Sequence, residues 1–313
     1  MLLSRVADNV YWGSRYLERA EDTARVVRSF TELILDLPTG IASSWEPLLA
    51  VVGGRDQFDA SHVRAEESDI VRFLVADESN HGSVVASVAQ ARENLRTARE
   101  VLPREAWQAV NDLYLFTGHD RESGVDRRSR ARFLSRVITD SQRLDGVLTG
   151  SMRRDEAYEL WRLGQAIERA DMTTRVLGVR AASLLALAEQ PDGFEDFDEV
   201  QWMGVLRSLT ALQMYQRSHR GPIDADSVVR FLLFDVAFPR SVAGCVQRIS
   251  EAFGRLPRPE HTMPAAQAVV DLLSGLPARA SDGRELDQAM DRVQLALAAV
   301  HDTVYDTFVR GVI

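Results

Sequence analysis

At 313 residues, with 45% hydrophobic and 27% charged side chains, the chain has room for one large or two ordinary cores and shows no sign of disorder. A formal net charge of −9 argues against a general nucleic-acid binder, because phosphate backbones demand a basic face. Every basic residue is an arginine, so Schiff-base chemistry and a P-loop lysine are excluded, while bidentate arginine–carboxylate pairing is favoured.

The first residues, Met1-Leu-Leu-Ser-Arg-Val-Ala-Asp8, do not read as a signal peptide. No apolar run reaches the ~18 residues that span a bilayer, so a cytoplasmic location is expected. A long helix follows, with Val10, Gly13, Leu17, Ala20, Ala24 and Val27 on one face. Its small residues would admit a close helix neighbour. Further helices are predicted over 61–77, 83–101, 104–117, 127–149, 200–217, 225–235, 241–254, 264–275 and 283–309. A second long helix carries Leu160, Leu163, Ile167, Ala170, Thr174 and Leu177 as its stripe. Strand patterns are absent, so the predicted class is all-α. The clearest loop is Glu189–Asp198, and Pro38-Thr-Gly40 reads as helix punctuation.

The chain also resembles itself. Tyr16-Leu-Glu-Arg-Ala-Glu-Asp-Thr-Ala-Arg25 and Ala166-Ile-Glu-Arg-Ala-Asp-Met-Thr-Thr-Arg175 share Glu-Arg-Ala-acid-x-Thr-x-Arg. Trp45-Glu-Pro-Leu-Leu49 matches Trp202-Met-Gly-Val-Leu206, and Val71-Arg-Phe-Leu74 matches Val229-Arg-Phe-Leu232. Three matches in the same order at a nearly constant offset predict a duplicated helical unit, 1–150 and 151–313, arranged about a pseudo-two-fold within one compact domain.

On a helical wheel Ser14, Glu18, Glu21 and Arg25 form a stripe beside the apolar face, and Gly164, Glu168, Asp171 and Arg175 form its counterpart. Tyr11 and Trp161 extend these stripes by a turn, while Arg19 and Arg169 are expected to project to the far side. The acid-first spacing of Glu21 to Arg25 and Asp171 to Arg175 suits ion pairs four apart. Such stripes fix helix register, or they bind an amine, carboxylate or phosphate group between the two units. Glu18 and Glu168 could also act as general acid and base.

Other signals are weaker. The run Arg127, Arg128, Arg130, Arg132 and Arg136 reads as a solvated helix face or as a dock for an acidic partner. Glu78-Ser-Asn-His81 has the Glu-x-x-His spacing of di-iron bundles, but no second pair accompanies it. Neither a metal site nor a cofactor is therefore expected. The six histidines never fall at His-x-x-x-His spacing, and Cys245, the single cysteine, lies in an apolar stretch that predicts an inert core thiol. Ala91-Arg-Glu-Asn-Leu-Arg96 has no counterpart in the second unit, and Trp107 and Asn111 follow on one face. This makes Glu18 the stronger site candidate of the two glutamates.

The doubled Glu-Arg helix, preceded by Tyr11-Trp12 and followed by Arg92-Glu-Asn-Leu-Arg96 and Trp107…Asn111, resembles the alpha-E superfamily over essentially the whole chain. The resemblance implies partners: a circularly permuted ATP-grasp ligase and a transglutaminase-like protein. It therefore implies an accessory or co-catalytic role in ATP-dependent peptide or amide-bond synthesis. The substrate- or partner-binding candidates are Glu18, Arg19, Glu21, Arg25, Arg92, Glu93, Asn94, Arg96, Glu168, Arg169, Asp171 and Arg175. No catalytic residue is assigned. The alternatives are an enzyme with its acid–base site between the units, or a purely structural scaffold. One departure is His81-Gly82, where a proline is expected, as at Phe238-Pro239.

Overall fold

A computed structural model describes residues 2–36, 44–61, 65–188, 198–276 and 283–311. The loop expected at 189–198, apart from its last residue, lies outside them, as do Pro38-Thr-Gly40 and His62. No strand occurs among the described residues. The first series of helices is α1 (Ser4–Asp36), α2 (Pro47–Val52), α3 (Arg55–Ser61), α4 (Glu67–Val75), α5 (Val84–Thr97), α6 (Arg104–His119), α7 (Arg121–Val125) and α8 (Arg130–Ser151). The second is α9 (Glu156–Ala188), α10 (Asp198–Ser208), α11 (Leu212–Ser218), α12 (Ala225–Phe234), α13 (Val242–Arg255), α14 (Pro259–Ser274) and α15 (Gly283–Val304). A π-helical stretch, Tyr305–Arg310, continues α15.

The long helices α1 and α9 pack side by side at the centre. Helices α5 and α8 lie on α1, and α13 and α15 lie on α9. Helix α6 packs on both α5 and α8, and α14 on both α13 and α15. Two short helices cross over: α2 packs on α9, and α10 packs on α1. Both sequence-derived stripes are buried in the core, from Val10 to Val27 and from Leu160 to Leu177. At Gly13 α5 comes close, since a methyl group there would lie 2.9 Å from Leu95 and 3.5 Å from Asn94.

The helix starts have local causes. Ser83 and Ser241 cap α5 and α13, each hydroxyl accepting from the backbone N–H three residues on. The His81-Gly82 departure therefore leaves the start of α5 intact. The helix predicted to begin at Pro264 begins at Pro259 instead. Either proline could open a helix, because a first-turn residue needs no N–H. The helix predicted over 200–217 breaks between α10 and α11. There the Ala211 N–H turns back to the Leu206 carbonyl and Thr210 takes φ 55°. No glycine announces this left-handed residue. At the end of α2 the same backbone pattern occurs, with Gly54 bonded to the Leu49 carbonyl and Gly53 at φ 72°.

Candidate functional site

The centre of the molecule is the face-to-face contact of the two Glu-Arg helices. A methyl at Gly164 would meet the Tyr11 carbonyl oxygen at 2.6 Å, so glycine sets how closely α1 and α9 approach. Ser14 Oγ crosses the same contact and donates to the Trp161 carbonyl at 2.5 Å. Around this point the charged stripes interlock. Arg19 Nε donates to Glu168 Oε1 at 2.6 Å, and Arg169 Nε donates to Glu18 Oε1 at 2.8 Å. Each motif's arginine thus pairs with the other motif's glutamate. The wheel had placed Arg19 and Arg169 on the far side. Their long side chains instead reach across to the partner helix.

Each glutamate has a second guanidinium. Arg15 Nε donates to Glu168 Oε2 at 2.8 Å. Arg240, from the turn before α13, donates to Glu18 at 2.6 Å and to Asp22 at 2.5 Å, and lies 3.5 Å from Glu21. The acid–arginine pairs four apart both form, Glu21 with Arg25 and Asp171 with Arg175. Arg25 also reaches the Thr210 hydroxyl, whereas Arg175 lies against Gly53, where an added methyl would sit 2.6 Å from Nη1.

A family model described as a predicted alpha-helical domain with a conserved ER motif matches residues 2–309. The chain belongs to the Alpha-E family. Similar curated proteins include an uncharacterized protein of Mycobacterium bovis and uncharacterized proteins from two strains of Mycobacterium tuberculosis. Each is 23% identical over 96% of this chain. The chain spans 36% of the length of these relatives. No solved structure gives a significant match.

The electrostatics of the Alpha-E motif follow from this packing. Burial by itself would raise the Glu18 carboxyl, but Arg169 and Arg240 overcome it and hold the group at about 2. Glu168 is likewise held at about 2 against burial, by Arg19 and Arg15. Both are therefore ionised and fully paired, which is unsuited to proton transfer near neutral pH. Asp22 differs: burial pushes it up to about 7, with Glu18 and Glu21 reinforcing the rise, because Arg240 is shared among three carboxylates. Its Oδ2 is buried without a hydrogen-bond partner. Glu21 is raised by burial and by Glu18, and Asp171 by burial and by Glu168.

Of the sequence candidates, the structure brings together Glu18, Arg19, Glu21, Arg25, Glu168, Arg169, Asp171 and Arg175. Arg92, Glu93, Asn94 and Arg96 make no hydrogen bond or ion pair with them. Arg92 Nε donates to Asn111 Oδ1 at 3.1 Å, and its guanidinium lies over Trp107 and Tyr114. Glu93 and Arg96 pair on the surface. Asn94 turns back to the Gln90 carbonyl while its Cβ packs near Gly13. The arginine run is only partly a solvated face, since Arg130 is buried and donates to Glu67 Oε1 at 2.9 Å and to the Val125 carbonyl. Glu78 pairs with Arg121. Cys245 is buried, and burial pushes its thiol up to about 12.

Arg15, Asp22, Thr210, Arg240 and His301 complete the cluster and its rim, with Tyr11, which the wheel had placed one turn along the stripe; the sequence reading did not select the other five for that role. Arg15 had a usable signal, lying one turn before Arg19 on the same helix. Asp22 and Arg240 had a correlated one. Met172 and Gly82 occupy the matching positions, so the acid and its arginine are present together or absent together.

Proposed function

We propose that the chain is a helical accessory module of an ATP-grasp-dependent system that forms peptide or amide bonds. It would act by binding a partner or peptide, with the ligase supplying the chemistry. One observation supports the accessory role: Glu18 and Glu168 are buried, and each is engaged by two guanidiniums. Carboxylates so held lock α1 to α9 and have no proton to exchange near neutral pH. This weighs against the acid–base alternative for these two residues. The partner assignment rests on the alpha-E resemblance, with a circularly permuted ATP-grasp ligase and a transglutaminase-like protein as the expected partners.

The reading extends to how the molecule arose. The matched lengths of α1 and α9, α5 and α13, α6 and α14, and α8 and α15 support a duplicated unit. So do the Ser83 and Ser241 caps and the reciprocal Glu-Arg pairs. The unit boundary would fall near 150, where α8 gives way to α9, with both units sharing one core. The test is co-purification with the ATP-grasp protein from the native organism, followed by ATP-hydrolysis and amide-ligation assays. The expected result is no ATP turnover by the chain alone and enhanced ligation when it joins the ligase. Robust turnover by the isolated chain, lost on mutating its own arginines, would overturn the proposal.

A further inference from the structure

The charged cluster is sealed at one end and open at the other. Around Glu18 three acids, Glu18, Glu21 and Asp22, face three arginines, Arg25, Arg169 and Arg240, and all but Arg169 are buried. Around Glu168 two acids, Glu168 and Asp171, pair with Arg15, Arg19 and Arg175, and Asp302 acts from beside Tyr11 and His301. At this end the Asp171–Arg175 pair is partly exposed, the arginine at 33% and the aspartate at 20%. It opens onto a groove of about 500 Å³ between α9 and α15, the size of a small-ligand site.

The groove has a direction. Gly178, late in α9, faces Met290 and Asp287, early in α15, so the helices run antiparallel. Asp291 therefore lies toward Arg175, and His301 lies toward Arg15 and Ile167. The ten residues from Asp291 to His301 span about 15 Å at the helical rise. Asp291 is exposed and makes no ion pair among the described residues. His301 is half-buried, and its proton can be placed. Arg15 Nη1 donates to the Tyr11 hydroxyl oxygen at 3.4 Å, and that hydroxyl lies 2.7 Å from His301 Nδ1. If Nδ1 carried the proton, the buried phenolic hydrogen would have no acceptor. The phenol therefore donates to Nδ1, and the imidazole proton sits on Nε2. Burial and Arg15 keep the ring's pKa low, and burial keeps Tyr11 protonated up to about 12, in accord with this assignment.

We propose that the groove between α9 and α15 binds a small carboxylate-bearing ligand that also carries a cationic or donor group. The carboxylate would lie against Arg15 and His301, and the donor end would lie toward Asp291. Arg15 is buried against Glu168, so its guanidinium is fixed before any ligand arrives, and binding need not order a floppy side chain. Ile167, Leu297 and Ala298 supply an apolar wall between the two ends. A free amino acid and the end of a peptide share this chemistry. The length of the groove favours a peptide end, since about four extended residues cover it.

The test is calorimetric titration of the full chain with tetraalanine, its C-terminal amide, its N-acetyl form and free alanine. Tetraalanine should bind saturably, and the amide at least about tenfold more weakly. Acetylation should weaken binding less than amidation does. Alanine binding as tightly as tetraalanine would assign the groove to a free amino acid, and weaker binding would assign it to a peptide end. Both outcomes retain the carboxylate. His301→Phe keeps an aromatic ring but removes its N–H donor and should cost as much as amidation, while Gln294→Trp should fill the groove and abolish binding in a normally folded protein. No wild-type binding at millimolar tetraalanine, equal binding of the amide, or unchanged binding by Gln294→Trp would each overturn the proposal. None of these readouts involves a ligase, so failure here and failure of the accessory-module reading are separate results.

Discussion

The surroundings of Glu18 and of Glu168 begin from nearly the same letters and end as different environments. Both motifs read Glu-Arg-Ala-acid-x-Thr-x-Arg, and both glutamates are buried beneath two guanidiniums. Yet the Glu21–Arg25 pair is sealed, whereas Asp171–Arg175 faces a groove. The difference lies outside the shared letters. Asp22 and Arg240 fill one end with a further buried pair, and Thr210 caps Arg25 there. At the other end Met172 and Gly82 bring no charge, and Gly53 offers Arg175 no side chain. The motif fixes how α1 and α9 hold each other, and the residues opposite it decide which end solvent can reach.

The contrast is open to attack by mutation, and the sealed end should give the largest effect. Arg240→Leu strips three buried carboxylates of their shared counter-charge and should cost about 3–5 kcal/mol, seen as a large drop in melting temperature. Glu18→Gln should fall in the same range, because Arg169 loses its anion and Arg240 loses one of its three. Next comes Gly164→Ala, whose methyl would press on the Tyr11 carbonyl and should cost about 1–3 kcal/mol. The control is Gly146→Ala on α8. It meets nothing within 4 Å and should stabilise by about 0.5–1 kcal/mol, as alanine does in a helix. The smallest effect belongs to the open end: Arg175→Gln should change stability by about 1 kcal/mol or less, since solvent screens that pair. A cost for Arg175→Gln equal to that of Arg240→Leu would erase the distinction between the two ends.

Acidity sharpens the same comparison. Asp22 titrates at about 7 in the folded protein against an ordinary 3.8, so the folded state binds that proton more tightly. Its contribution to stability therefore falls as pH rises from about 4 to 7. Glu18 and Glu168 lie at about 2, below their ordinary 4.5. Their contribution is full above about 4.5 and is lost as pH falls toward 2. Denaturant melts across this range should show Asp22→Asn losing less stability than the wild type between pH 4.5 and 7. Equal slopes for both proteins would remove Asp22 from the account.

Much of the architecture was legible in the sequence because helical periodicity is local. The long stripes and most helix spans follow from spacing alone. The short helices α2, α3 and α7 did not, since a few residues carry too little periodicity. The break at Thr210 was hidden because a β-branched residue there takes a conformation usually left to glycine. At the site, the pairs four apart could be read from the wheel. The cross-helix pairs could not, because a wheel gives the direction of Cβ and says nothing of what stands opposite. Arg19 and Arg169 fell on the wrong side for that reason. Arg240 lies 218 residues from Asp22 in the chain, and only folding brings them together.

The central claim is that the Glu-Arg dipeptides pair across the α1–α9 contact, each glutamate with the opposite arginine and not with its own sequence neighbour. Double-mutant cycles test it directly, with stability measured for the pairs Glu18/Arg169, Glu168/Arg19 and Glu18/Arg19, using glutamine for every residue. The structure predicts coupling of about 1–3 kcal/mol for each of the two cross-helix pairs and close to none for the sequence neighbours Glu18 and Arg19. Coupling confined to Glu18/Arg19, with none across the helices, would contradict it.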